Sequence, residues 1–230
     1  MQKYAVFISG NGSNLQAIID SQKKGEIKAE LALVISSNPK AFGLKRAEKA
    51  GIKFLVFDPD NYTNRQSVDR DIIIVLKEYK IDFIVLAGYM RLLTPYFIKH
   101  YPNKIINVHP SLLPSFKGAS GIKDAFTYGV KQTGVTVHFV NEKMDNGPII
   151  MQDTVKINEE DTLETLEEKI HRVEHRIYPQ AVALFAEDRL KVKGRCVMVA
   201  DKSGKVDAKA SADPAKTYVP ARTMKLKDLL

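Results

Sequence analysis

The run Tyr4-Ala5-Val6-Phe7-Ile8-Ser9-Gly10-Asn11-Gly12-Ser13-Asn14-Leu15-Gln16-Ala17-Ile18-Ile19 decides the fold. Residues 4–9 are apolar up to Ile8 with no polar alternation, the pattern of a strand buried on both faces. A glycine-punctuated loop follows. From Leu15 to Lys24 the apolar positions then recur at helical spacing. The unit repeats downstream. Strand-like runs at 30–36, 53–58, 82–87 and 104–108 alternate with helix patterns at 41–50, 64–79 and 94–100. That alternation predicts an α/β fold with a mostly parallel sheet and helices on both faces.

After Pro114 the pattern changes. A short helix is expected at 122–129, then two strands at 134–140 and 148–157 joined by a loop, which predicts an antiparallel C-terminal extension of the sheet. Asp161, with Glu164 three residues on, reads as the capping box of a long helix. Leu163, Leu166, Ile170, Val173 and Ile177 follow at helical spacing, and the helix is expected to run to about 188. The apolar run 196–200 precedes 201–205, which reads as a hairpin turn. Beyond Ala208 the Ala, Lys, Asp and Pro content reads as a mobile tail. The expected division is a catalytic domain at 1–190 and an extension at 191–230, made of a short strand or hairpin and a basic tail.

Composition narrows the class. The chain is 230 residues long, 44% hydrophobic and 27% charged, with no apolar run of membrane-spanning length. Met1-Gln2-Lys3 leads into a strand instead of a signal sequence, and the single Cys196 has no disulfide partner, so a cytoplasmic protein is expected. The net charge of +8 would suggest nucleic acid, but it is local. From Lys191 onward there are ten basic and four acidic residues, a surplus of six, which leaves +2 for the rest. That tail carries no aromatic interleaving beyond Tyr218, so neither nucleic acid nor membrane is expected as a partner.

Three loops carry candidate chemistry. The loop 9–14 lies between the first strand and first helix, where free backbone amides and the helix dipole favour a phosphate. It lacks a third glycine at Leu15 and an acidic residue near Ser36-Ser37-Asn38, so a dinucleotide is disfavoured and a single phosphate on a smaller molecule fits best. A tight turn with no ligand would use the same glycines. The second loop is Asn107-Val108-His109-Pro110-Ser111-Leu112-Leu113-Pro114. Alternation puts Asn107 and His109 on one side of a strand end, an amide donor and an imidazole facing one space. A satisfied histidine beside a proline turn is the plainer reading. The third is Met144-Asp145-Asn146-Gly147-Pro148, a turn in which Asp145 matters only if folding brings it to His109, where a carboxylate would favour the imidazolium.

His171-Arg172-Val173-Glu174-His175 matches an inverted zinc-peptidase pattern, with a third ligand missing unless Glu187 supplies it; no metal is expected. His100 and His138 read as surface and core residues respectively.

Five motifs in order resemble the phosphoribosylglycinamide formyltransferase family over about residues 5–190. They are Ile8-Ser9-Gly10-Asn11-Gly12-Ser13-Asn14-Leu15-Gln16; Ala87-Gly88-Tyr89-Met90-Arg91-Leu92-Leu93; the loop from Asn107 to Pro114; Val137-His138-Phe139-Val140 with Met144-Asp145-Asn146-Gly147-Pro148-Ile149; and Glu174-His175-Arg176-Ile177-Tyr178-Pro179. The resemblance implies a Rossmann-like formyltransferase fold and transfer of a formyl group from 10-formyltetrahydrofolate to the amine of glycinamide ribonucleotide. It implies Asn107, His109 and Asp145 as catalytic residues. It also implies Gly12, Ser13 and Asn14 at the substrate phosphate and Glu174 at its sugar or glycinamide end. Arg65, Met90, Arg91, Leu92, Leu93 and Asn107 resemble the folate-binding positions. The segment 117–122 departs from some relatives in having no histidine, and the tail beyond Lys191 carries no resemblance.

Other classes make other expectations. A formyltetrahydrofolate hydrolase would use the same constellation on water, and its relatives usually carry an additional N-terminal regulatory domain, which is not expected here. A zinc hydrolase would need metal. A noncatalytic folate-binding module would bind without turnover, and transfer to methionyl-tRNA would call for a second domain.

Overall fold

The computed structural model describes residues 1–206; the mobile tail expected beyond Ala208 lies outside them. The described residues form one nine-stranded sheet in the order β3-β2-β1-β4-β5-β6-β7-β9-β8. The parallel half comprises β1 (Lys3–Ile8), β2 (Glu30–Ser36), β3 (Phe54–Val56), β4 (Phe83–Leu86) and β5 (Ile105–His109). Strands β6 (Gln132–Phe139) and β7 (Ile149–Lys156) add to it antiparallel, as expected.

Alternate residues of the inner strands enter two separate cores, which explains the absence of polar alternation. Tyr4, Val6 and Ile8 pack with α1 (Ser13–Lys23), α2 (Gly43–Lys49) and the long α6 (Leu163–Ala186). Ala5 and Phe7 pack on the other face with α3 (Arg65–Glu78) and α4 (Pro95–His100). A short α5 (Gly121–Tyr128) precedes β6. Tyr178, fully buried on α6, donates its hydroxyl to the carbonyls of Leu86 (2.8 Å) and Ile106 (3.2 Å), fixing the helix across β4 and β5. Glu174 lies one turn earlier on the same face of α6.

Strand order reverses between β1 and β4, since the chain winds outward to β2 and β3 and then returns to the far side of β1. Such a switch point opens a crevice at the carboxyl ends of the strands, and the loops after β1 and β4 both leave from it.

Two expectations are corrected. The cap of α6 is Thr162, not Asp161: the Thr162 and Thr165 hydroxyls accept from each other's backbone N–H, while the Asp161 carboxylate is taken by Lys169 and the Asn158 N–H. The hairpin at the end of the described chain turns at Gly194-Arg195, between β8 (Leu190–Lys193) and β9 (Cys196–Val199), not at 201–205. The latter is a separate turn closed by the Asp201 side chain, which accepts from Ser203 and Lys205.

Candidate active site

The glycine loop is rigid because two backbones touch. Gly12 is left-handed (φ 73°), and a Cβ there would lie 2.7 Å from the Gly43 Cα. Gly43 N–H donates to the Gly10 carbonyl at 3.1 Å, and the Arg46 guanidinium clasps the Asn11 carbonyl and side chain at 2.9 and 2.8 Å. The first N–H groups of α1 have no intrahelical acceptor and face outward from this turn, ready for an anion. The Asn14 side-chain amide is already committed. It donates to Glu174 at 2.9 Å, leaving Asn14 Oδ1 buried and without a partner among the described residues. Glu174 thus joins the loop to α6, and its burial pushes its carboxyl above the usual range despite the opposing Asn14 bond.

The loop after β4 is tied to the first. Ser9 N–H donates to the Gly88 carbonyl (3.1 Å), and Met90 N–H donates to Ser9 Oγ (2.9 Å). Of the four consecutive residues expected to contact folate, Met90 and Leu92 are exposed. Arg91 turns inward to the Tyr89 hydroxyl and towards Asp69, and Leu93 packs on the second core. Arg65 is exposed at the start of α3, with no side-chain partner among the described residues.

The third element is a cluster of side chains. Asn107 and His109 share a face of β5, opposite His138 and Thr136 of β6. The 141–147 loop delivers Asp145 in a left-handed conformation (φ 47°) and turns back at Gly147, where any Cβ would lie 1.6 Å from the Phe139 carbonyl oxygen. Asp145 Oδ2 lies 3.5 Å from His109 Nδ1 and accepts the Gly118 N–H at 2.8 Å; Oδ1 lies 3.8 Å from His138 Nε2. The folding condition on Asp145 is therefore met.

Carbonyls fix both tautomers, because a carbonyl can only accept. His109 Nε2 lies 2.8 Å from the Phe116 carbonyl and must carry a proton, leaving Nδ1 as the nitrogen open towards Asp145 and the crevice. His138 is the reverse. Its Nδ1–H donates to the Phe139 carbonyl at 2.8 Å, and its Nε2 is 3.3 Å from the Asn107 amide. Burial pushes the His138 imidazole down, against the Phe139 bond and Asp145, which favours its neutral form.

His138, read from the sequence as a core residue, is buried as expected, and it lies beside Asn107 and Asp145, a placement the sequence reading did not include. Sequence reasoning also missed the Phe116 carbonyl and the Gly118 N–H. Gly121 stands in the segment that lacks histidine, and a Cβ there would meet His109 Nε2 at 3.2 Å. The one signal available was alternation on β6, which puts His138 two residues from Thr136; the register that faces it to Asn107 is not written locally. The zinc pattern on α6 instead stacks His171 on His175 and turns Glu174 to Asn14.

The formyl transferase family is matched over residues 2–182. The phosphoribosylglycinamide formyltransferase of Bacillus subtilis is 46% identical over 182 residues, 79% of this chain and 93% of that protein. The trifunctional purine biosynthetic protein adenosine-3 of Gallus gallus is 46% identical over 190 residues, 83% of this chain but 19% of that much longer protein. The crystal structure of glycinamide ribonucleotide transformylase 1 from Symbiobacterium toebii superposes with a TM-score of 0.85 at 46% identity, covering 87% of this chain and 95% of that one.

Proposed function

The chain belongs to the formyl transferase family, and from that premise we propose that it transfers the formyl group of 10-formyltetrahydrofolate to the amine of glycinamide ribonucleotide. The products are formylglycinamide ribonucleotide and tetrahydrofolate, and the reaction belongs to purine biosynthesis. The observation that carries the assignment to chemistry is the meeting of Asn107, His109, His138 and Asp145 beside the glycine loop.

The substrate amine attacks the formyl carbon, and negative charge develops on the formyl oxygen of a tetrahedral intermediate. The second Asn107 amide hydrogen and the Nδ1–H of a His109 imidazolium donate to that oxygen. A well-placed donor of this kind contributes about 3–4 kcal/mol to the transition state. Nδ1 is the only ring nitrogen free for this role, since Nε2 is bound to the Phe116 carbonyl. At 3.5 Å, Asp145 is too far for a strong hydrogen bond but close enough to stabilise ring charge. The carboxylate then helps pass the proton from the attacking amine to the leaving folate nitrogen. Neutral His138 keeps the Asn107 amide oriented.

The Gly12, Ser13 and Asn14 backbone amides hold the substrate phosphate, and Glu174 accepts from the sugar or glycinamide end. The exposed Met90 and Leu92, with Arg65, Arg91 and Leu93, form the folate side. We take 1–190 as the catalytic domain and 191–230 as an extension. No helix among the described residues is long and apolar enough to cross a membrane, and a cytoplasmic site of action is part of the proposal.

The test is to mix purified protein with 10-formyltetrahydrofolate, with and without glycinamide ribonucleotide, and follow both the folate and the formylated nucleotide. Product that depends on acceptor supports transfer; formate release without acceptor would replace it with hydrolysis.

A further inference from the structure

Asp69 is fully buried on α3, between Val68 and the core residue Ile72, and the chemistry above does not use it. A carboxylate in that position needs donors, because an unpaired buried charge is costly. Its Oδ2 accepts both the Thr94 N–H (2.9 Å) and the Thr94 hydroxyl (2.7 Å). The same Thr94 hydroxyl oxygen accepts from Phe97 N–H and starts α4. The other oxygen, Oδ1, faces Arg91 Nη2 at 3.6 Å, and neither atom has a hydrogen-bond partner among the described residues. Arg91 is steadied from its far side by the Tyr89 hydroxyl, 3.2 Å from Nη1.

One carboxylate therefore holds both ends of the turn from Arg91 to Thr94. With Arg91 pulled into the protein, Met90 and Leu92 on either side of it are turned out, 69% and 54% exposed, next to the glycine loop through the bond from Met90 N–H to Ser9. Two large apolar side chains left in water beside the glycine loop are a surface for a flat apolar ligand, here the folate ring system.

We propose that Asp69 is a positioning residue for the formyl donor: by anchoring Arg91 and Thr94 it sets the Met90 to Leu93 loop in the shape that receives the folate. This rests on the reading that the loop after β4 is the folate side of the crevice. The slack contact to Arg91 separates the two anchors experimentally. Asp69→Asn keeps an oxygen for Thr94 but removes the charge that holds Arg91, whereas Asp69→Ala removes both.

The test measures tetrahydrofolate binding by calorimetry, and kcat and KM for each substrate, in the wild type, Asp69→Asn and Asp69→Ala. Melting curves identify any variant that fails to fold. Loss of one hydrogen-bonded or charged anchor predicts that Asp69→Asn weakens tetrahydrofolate binding and raises the formyl-donor KM about tenfold. The ribonucleotide KM and kcat should stay within about twofold, with Asp69→Ala weaker still for folate. A merely structural role would lower all parameters together, and that result overturns the proposal. Normal folate binding in Asp69→Asn overturns it alone, whereas a wild type that binds no tetrahydrofolate overturns the folate reading and the proposal with it.

Discussion

The two sides of the crevice are built in opposite ways. The glycine loop is made of backbone and closed by short contacts: Gly12 against Gly43, Arg46 on Asn11 at 2.8 Å, and Asn14 on Glu174 at 2.9 Å. The cluster at β5 and β6 is made of side chains whose mutual distances, 3.3, 3.5 and 3.8 Å, all exceed a good hydrogen bond. Three of its four members, all but Asn107, are nevertheless pinned from behind. Phe116 holds His109, Phe139 holds His138, and Gly118 holds Asp145. On the proposed function the difference separates two tasks. A phosphate site works best when finished before the ligand arrives, because every donor already points at the anion. A transition-state site must keep donors uncommitted until charge develops, while leaving them no freedom to wander.

The comparison breaks most directly at His109. His109→Ala should lower kcat by about a thousandfold, and Asn107→Ala by about a hundredfold, with ribonucleotide affinity nearly unchanged. Steady-state kinetics with a direct binding measurement decides it, and near-normal turnover in His109→Ala would sink the mechanism. On the opposite side, Gly12→Ala should weaken ribonucleotide binding by more than tenfold and destabilise the fold. The left-handed backbone alone costs about 1–2 kcal/mol, and the contact with Gly43 adds to it. Equal binding of substrate and its dephosphorylated form by the wild type would remove the phosphate from this loop.

Glu174 sharpens the contrast, because on the proposed function it trades stability for binding. Burial raises its carboxyl above the unfolded value, so the folded state binds the proton more tightly than the unfolded chain does. Wild-type stability should therefore fall as pH rises from the ordinary carboxylate range to the raised value, and stay at that lower level above it. Glu174→Gln removes this cost. It should melt higher than the wild type at pH 7, lose that advantage in acid, and bind the ribonucleotide about tenfold more weakly, as expected for losing one charged acceptor. A lower melting temperature at pH 7 would contradict the assigned cost of the buried charge. The smallest effect is spectroscopic: in neutral His109 the proton should sit on Nε2, and in His138 on Nδ1, as read from the ring nitrogen shifts in NMR. An Nδ1–H tautomer for His109 would mean that the Phe116 bond does not hold in solution.

Much of this was legible locally. The strands of the parallel half were found to within one or two residues, because two-sided burial forbids polar residues in them. Asn107 and His109 were paired by alternation alone. The burial of His138 was legible but its place beside Asn107 was not, since that depends on β6 lying against β5 with His138 opposite Asn107, a register set by many distant contacts. The cap of α6 slipped by one residue because Asp161 and Thr162 are both good caps, and only the nearby Lys169 decides which of them is free.

The sequence by itself determined the layered α/β fold and the position of the glycine loop. It also determined which residue types could stabilise an oxyanion, since these follow from period, turn chemistry and functional groups within short windows. The tertiary structure alone decided that Asp145 reaches His109, that Glu174 is spent on Asn14, and that Asp69 holds the loop after β4. Those pairs are 36, 160 and 25 residues apart, and a contact across such a distance exists only once the whole sheet has brought the strand ends together.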